Sequence, residues 1–170
     1  GSTQKFSDDF ERLKAIKEWF QGKSPHPNPL PHLRQGSGGQ ARGEGGFLFA
    51  NLNATDELFG HRRNPTGYIN HINTLDKTFG YITNRMADRD LLIVTSDHGN
   101  DPTHAHHTNH TRERVPLLVF HPGMHGPIAL GIRTTYADIA ATIAENFGME
   151  EAFGKGRSFF PGNFFSGEKS

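Results

Sequence analysis

Leu91-Leu92-Ile93-Val94-Thr95, continuing into Ser96-Asp97-His98-Gly99-Asn100-Asp101, is the stretch on which the fold reading turns. An unbroken apolar and β-branched run with no polar alternation is the pattern of a strand buried on both faces of a parallel sheet. The composition then changes at once to acid, imidazole and glycine. In open α/β sheets ligands bind beyond the carboxyl ends of the strands, so this junction is a candidate site as well as a fold element.

The neighbouring segments extend the pattern. Val115 to Phe120 reads as a second strand, and Phe47-Leu48-Phe49-Ala50-Asn51-Leu52 as a short run of strand character. From Pro65 to Met86 the apolar residues Ile69, Ile72, Leu75, Phe79 and Ile82 recur at helical spacing. Thr135 to Phe147 is predicted as a helix with a capping-box-like Thr135-x-x-Asp138, a stripe of Ile139, Ile143 and Phe147, and Gly148 at the C′ position. Near the N-terminus, Phe6, Phe10, Leu13, Ile16 and Phe20 line one face of a helix from Ser7 to Gln21. Ser7 is available as its cap, and Asp8 and Asp9 sit at its positive end. Strands alternating with helices predict an α/β fold, a three-layer α/β/α arrangement around a mostly parallel central sheet.

Gly22 to Gly46 breaks the pattern. Alternate prolines in Ser24-Pro25-His26-Pro27-Asn28-Pro29-Leu30-Pro31 forbid a helix, and Gly36, Gly38, Gly39, Gly43, Gly45 and Gly46 add chain entropy. Nothing in the segment offsets the cost of ordering it, so residues 22–46 are expected to be a disordered insertion. The expected organisation is an N-terminal helix over 4–21, this insertion, and an α/β core over 47–165.

Composition narrows the function. The 170 residues carry 18 Lys+Arg against 18 Asp+Glu, a balance unlike the basic footprint of a nucleic-acid binder. The absence of Cys excludes a disulfide scaffold, a thiolate zinc site and a Cys nucleophile. No apolar run approaches a membrane span and no signal peptide is legible, so a soluble, cytoplasmic protein is expected, without nucleic-acid or membrane partners. The hydrophobic fraction of 34% is low for a packed chain, in keeping with an unpacked segment.

Acids and histidines follow the expected strands. Asp56 and His61 come after the first, Asp97 and His98 after the second. A loop bearing His104, His106, His107 and His110 then leads to Val115. Carboxylate mixed with imidazole suits Mn²⁺ or Zn²⁺ rather than Ca²⁺. On residue types alone the reading stays open. A metal-dependent α/β hydrolase or transferase is one possibility; an Asp-His pair serving as a turn, beside a solvated histidine loop, is another. His26, His32, His71, His121 and His125 read as surface or structural residues.

The order and wording of the motifs add to this. Asp97-His98-Gly99-Asn100-Asp101-Pro102-Thr103, followed by His110-Thr111-Arg112-Glu113 and Val115-Pro116, resembles the metal-binding signature of bacterial phosphopentomutases, members of the alkaline phosphatase superfamily. Phe49-x-Asn51-Leu52-x-x-x-Asp56-x-x-x-Gly60-His61-Arg62-Arg63 resembles that family's preceding metal motif. Leu130-Gly131-Ile132-Arg133, Asp138-Ile139-Ala140 and Gly154-Lys155-Gly156-x-Ser158-Phe159 resemble its C-terminal end.

The resemblance implies an alkaline-phosphatase-like core and a reaction interconverting ribose (or deoxyribose) 1-phosphate and 5-phosphate. It also implies two divalent ions, Mn²⁺ with Zn²⁺ as the alternative, and a phosphorylated threonine. Asp56, His61 and His110 would hold one ion, with His107 as a fallback for His110. Asp97 and His98 would hold part of the other. Arg62, Arg63 and Arg112 are candidates for phosphate contacts, each with a structural ion pair as its competing role. The family's N-terminal aspartate, its phosphothreonine and its sugar-selecting cap domain have no counterpart ahead of Asp56. The expectation is therefore an incomplete core, a C-terminal portion completed by a missing N-terminal half or by homo-oligomerisation. A metal-dependent phosphatase or phosphodiesterase and a non-catalytic metal-binding remnant are the alternatives. Two departures from the family stand out: Thr108-Asn109 replaces an expected acidic neighbour of His110, and the loop carrying His104, His106 and His107 is one residue longer than usual.

Overall fold

The computed structural model describes residues 8–20, 47–88, 90–147, 149 and 155–160. The expected disordered insertion over 22–46 lies outside these residues, as do Phe6, Ser7, Gln21, His26, His32, Gly148, Gly154 and 161–165. The chain divides into two compact units, one of Gly1–Met86 with Leu92–Val119, the other of Ala87–Leu91 with Phe120–Ser170.

The first unit opens with helix α1, Asp9–Phe20. Asp8 caps it, its Oδ1 accepting the Glu11 N–H at 2.9 Å. The expected apolar stripe is only partly buried: Leu13 is covered, whereas Phe10 is 77% exposed. Asp9 is buried in its place. Its carboxylate accepts the backbone N–H groups of Asn53 at 3.0 Å and Ala54 at 2.8 Å and pairs with Arg12 at 2.5 Å. Those bonds set the rotation of the helix and turn Phe10 outward. His71 Nε2 lies 3.4 Å from the same carboxylate.

Residues 47–53 form no strand, a correction to the expectation for Phe47–Leu52. An apolar run becomes a strand only beside a partner edge, and the sheet seen here pairs β1, Leu92–Thr95, with β2, Leu117–Phe120. Phe47, Leu48 and Phe49 are exposed. Strand β1 is half-buried rather than covered on both faces, with Thr95 exposed, because one neighbouring strand cannot bury it. The Thr95 hydroxyl donates to the Pro116 carbonyl at 2.9 Å and ties the two strands.

A π-helical segment, Thr55–Gly60, leads through His61–Arg63 to α2, Pro65–Thr83. Asn64 caps α2, accepting the Gly67 N–H at 2.9 Å, and Pro65 occupies the first turn, where its missing N–H costs nothing. Leu75, Thr78 and Ile82 are buried, while Ile69 and Ile72, expected in the same stripe, are exposed.

In the second unit α3 spans Ala137–Asn146. The Thr135 hydroxyl accepts the Ala137 N–H at 3.1 Å, but the expected reciprocal half of a capping box is absent. The Asp138 carboxylate instead accepts from the Arg157 N–H at 2.8 Å and Arg133 Nη1 at 3.3 Å. Thr142, wholly buried, donates to the Asp138 carbonyl and accepts the Phe159 N–H. The 155–160 segment is thereby fastened to α3, burying Phe159 and Phe160.

Helices with a two-stranded sheet are α/β in kind; a three-layer core around a mostly parallel sheet is not displayed by the described residues. No helix among them is long and apolar enough to cross a membrane.

Candidate metal centre

The site lies wholly within the first unit, where the π-helical segment meets the loops after β1. Asp56 and His61 are five residues apart, a spacing that an α-helix would place about 140° apart around its axis. Here the His61 N–H donates to the Asp56 carbonyl at 2.9 Å, and the Asn64 N–H to the Phe59 carbonyl at 2.9 Å, both across five residues. This wider winding brings the two side chains to one side, with His61 Nε2 at 3.3 Å from Asp56 Oδ2. Wide turns of this kind are frequent at functional sites.

The loops after β1 supply the rest. The Thr111 N–H donates to the Gly99 carbonyl at 3.1 Å in an isolated antiparallel bridge, which folds the histidine loop back on itself. His110 Nε2 then reaches 3.2 Å from His61 Nε2 and 3.7 Å from Asp56 Oδ1. The His98 ring stacks on that of His110, centroids 3.5 Å apart and planes 18° from parallel. Asp56, His98 and His110 each place a ligating atom within 4.8 Å of the others. Asp97 stands apart: it is 85% exposed and lies 3.7 Å from His98 Nε2.

These separations fit a divalent ion. Two N or O ligands at the usual 2.0–2.2 Å from one ion lie about 3.0–3.6 Å apart at right-angled to tetrahedral geometry; His61 lies 3.2 Å from His110 and 3.3 Å from Asp56 Oδ2, and His110 lies 3.7 Å from the other oxygen, Asp56 Oδ1. Tautomers are arranged accordingly. His61 Nδ1 meets the Thr108 carbonyl at 2.5 Å, so its proton sits there and Nε2 presents a lone pair to the cluster. His98 Nδ1 lies 3.2 Å from the Gly99 carbonyl.

A polar chain fixes the carboxylate. Asn100, buried, donates from Nδ2 to Asp56 Oδ1 at 2.6 Å and accepts from Arg63 Nη1 at 2.7 Å. Gly60 makes room for it: a Cβ there would lie 2.5 Å from Asn100 Nδ2. Arg63, held at a positive φ of 49°, also donates to the carbonyls of Gly60, Asp101, His107 and Asn109. All three of its guanidinium nitrogens are thus engaged within the protein, and it braces the histidine loop rather than presenting a fork to a phosphate. Arg62 and Arg112 are exposed. Sequence reasoning does not single out Asn100 or Gly60, although both stand inside the quoted motifs, Gly60 next to His61 and Asn100 two residues after His98.

Several carboxylates lie near the site. Tyr68, at the start of α2, has its phenol pushed above the usual tyrosine value by burial and then by the carboxylates of Asp56, Asp101 and Glu113. Asp101 is lowered, first by the Thr103 hydroxyl and backbone N–H donating to it, then by the charges of His104 and Arg63. Converging carboxylates with bare imidazole nitrogens form a setting that a cation relieves.

The family follows from comparison with known proteins. The model of the metalloenzyme superfamily matches residues 40–151, more than half of the chain. The chain belongs to the metalloenzyme superfamily. It is 48% identical over 116 residues to a phosphopentomutase of Limosilactobacillus reuteri, covering 68% of this chain and 28% of that protein. It is 49% identical over 105 residues to one from Clostridium perfringens, 62% of this chain and 26% of the relative. A third, from Levilactobacillus brevis, is 47% identical over 104 residues, with 61% and 26% covered. The chain thus spans about a quarter of the length of these relatives. Asp56, His61, Asp97, His98 and His110 all fall inside the superfamily match, and Asp56, His98 and His110 have the geometry for a divalent ion.

Proposed function

We propose that this chain carries the metal-binding portion of a phosphopentomutase-like enzyme, whose reaction interconverts ribose (or deoxyribose) 1-phosphate and 5-phosphate. The observation that supports this most is the convergence of Asp56, His61, His98 and His110 from segments far apart in sequence. In this reading Asp56, His61 and His110 hold one ion, and Asp97 and His98 contribute to a second. Mn²⁺ is the expected occupant, with Zn²⁺ the alternative. Asp56, His98 and His110 offer ligating atoms within 4.8 Å of one another, which supports at least one ion; a second ion is taken from the family resemblance, and paired-metal sites keep their ions about 3.5–4 Å apart.

When bound, such a pair would stabilise charge on the attacking and leaving oxygens of an in-line phosphoryl transfer. The chain's own residues do the positioning. The Thr108 carbonyl holds the His61 proton on Nδ1, Asn100 holds the Asp56 carboxylate, and Arg63 holds the loop that delivers His110. Arg62 and Arg112 are the guanidinium groups available to a sugar phosphate. No residue of this chain is assigned the phosphoryl-carrying threonine, so the chain alone is expected to bind ions without efficient mutase turnover.

Equilibrium dialysis against Mn²⁺ with metal analysis tests the reading. Two ions should be retained, and Asp56→Asn should abolish the tighter one. A chain that retains no divalent ion refutes the proposal. Robust turnover of ribose 1-phosphate by the chain alone would overturn the statement about threonine. Mn²⁺-dependent phosphate release from p-nitrophenyl phosphate, lost in Asp97→Asn, would point to a phosphatase instead.

A further inference from the structure

Asp9 lies outside residues 40–151, where the chain matches its superfamily, yet it is a buried residue of α1 that anchors the segment leading to Asp56. Each of its carboxylate oxygens takes one backbone N–H of that segment. Oδ1 accepts from Asn53 at 3.0 Å and Oδ2 from Ala54 at 2.8 Å. We propose that Asp9 is a positioning residue for the metal centre, holding the backbone that carries Asp56 and His61 in the winding that turns both toward one ion. The inference rests on the metal-binding reading above.

The hold passes to the ligands in two short steps. The Asn53 carbonyl accepts the N–H groups of Asp56 at 3.1 Å and Glu57 at 2.9 Å, so the residue that Asp9 fixes through its N–H fixes Asp56 through its C=O. The Asp56 carbonyl in turn accepts the His61 N–H at 2.9 Å. A rotation of the 53–54 peptide therefore reaches both ligands. Asn100 holds only the end of the Asp56 side chain, at Oδ1, whereas Asp9 holds the backbone from which that side chain springs.

The chemistry suits this task. At the start of a helical segment the first N–H groups have no acceptor within the winding, so an outside acceptor competes with no internal bond. Bonds from N–H to a carboxylate are charge-assisted and about twice as strong as neutral ones. Two further groups flank the carboxylate and limit its rotation: Arg12 Nη1 lies 2.5 Å from Oδ1, and His71 Nε2, from α2, lies 3.4 Å from Oδ2. The His71 ring also lies against Phe59 of the π-helical segment, centroids 5.5 Å apart. The segment is thus held at its start by α1 and along its length by α2.

Asp9→Ala, Asp9→Asn and Leu13→Ala test this. Leu13 is buried in the same helix and its apolar side chain makes no hydrogen bond, so Leu13→Ala loosens α1 without removing the acceptor of the two N–H groups. Isothermal titration with Mn²⁺ should show affinity about tenfold lower in Asp9→Ala, as for loss of a group that orients a ligand. Asp9→Asn, which keeps one acceptor oxygen, should lose less, and Leu13→Ala should stay within twofold of the wild type. Equal losses in Asp9→Ala and Leu13→Ala overturn the proposal, because loosening of α1 would then explain both. Wild-type affinity in a folded Asp9→Ala overturns it too. Amide exchange without metal, read by mass spectrometry, is the second arm and also serves if Asp9→Ala does not fold. Residues 53–61 should exchange roughly fivefold faster in Asp9→Asn than in Leu13→Ala; equal rates overturn the proposal. An intact chain that binds no Mn²⁺ refutes the proposed function, while the exchange arm still decides whether Asp9 holds the segment, so the two failures are distinguishable.

Discussion

Asn100→Ala isolates the polar chain that holds the Asp56 carboxylate. The wild-type side chain is 8% exposed and joins Arg63 Nη1 at 2.7 Å to Asp56 Oδ1 at 2.6 Å. Both bonds involve a charged group and are worth about 1.5–3 kcal/mol each. Much of this is recovered in the variant. Arg63 Nη1 keeps the Gly60 and Asp101 carbonyls, and Asp56 is open enough for water to reach Oδ1. A net loss of about 2 kcal/mol in folding stability is expected. The larger signature is on the ion. Removing a group that orients a ligand costs about 10–100-fold in metal affinity, or roughly 1.4–2.7 kcal/mol.

Asn100→Asp separates the two effects. It still accepts from Arg63, so stability should fall less than in the alanine variant, but it turns a donor into a second anion against Asp56. Without metal that pair repels. Isothermal titration with Mn²⁺, together with urea unfolding of both variants, reads affinity and stability separately. If Asn100→Ala binds Mn²⁺ within twofold of the wild type while remaining folded, Asp56 does not depend on Asn100 for its placement and the account of the site is wrong.

Three further outcomes follow from the same geometry. Gly60→Ala puts a methyl group into Asn100 and should reproduce the affinity loss of Asn100→Ala without altering any polar group; Mn²⁺ titration measures it. Asp9→Ala leaves the Asn53 and Ala54 N–H groups and Arg12 without their acceptor and should cost about 3 kcal/mol, read as a lower urea midpoint with an unchanged slope. The raised value of Tyr68 means that the folded state holds its proton at a pH where the unfolded chain has lost it. Its contribution to stability is therefore complete below about pH 10 and is lost as the pH rises through the folded value. Phenolate absorbance should show Tyr68 titrating above the usual range, and Asp56→Asn should bring it down; an unmoved titration would mean that the carboxylate does not act on the phenol.

What the sequence made legible depended on range. The helices α2 and α3 are legible because their periodicity and start signals are local, as Pro65 and Thr135 illustrate. The Phe47–Leu52 run was misread because a strand is a property of a pair of segments and the apolar pattern of one segment does not name its partner. Phe10 was misplaced for a similar reason: helical spacing identifies an apolar stripe, but the bonds from residues 53 and 54 to Asp9 decide which side of the helix is buried.

The candidate metal ligands are legible from motif wording and family resemblance alone, because periodicity cannot bring Asp56 to His110 across more than fifty residues of chain. Their mutual placement rests on features with no propensity signal. One is a π-helical winding that turns an i, i+5 pair to one side; another is an arginine at positive φ whose guanidinium gathers four carbonyls. Arg63 shows the consequence. A guanidinium beside a metal motif is a candidate both for a phosphate and for a structural partner while only its charge is known. Its acceptors in the structure make it the brace of the loop that brings His110 to Asp56. Arg63→Lys should therefore weaken Mn²⁺ binding, since a single ammonium cannot span the carbonyls of residues 60, 101, 107 and 109. Selective loss of sugar-phosphate binding alone, with Mn²⁺ retained at wild-type affinity, would restore the phosphate role.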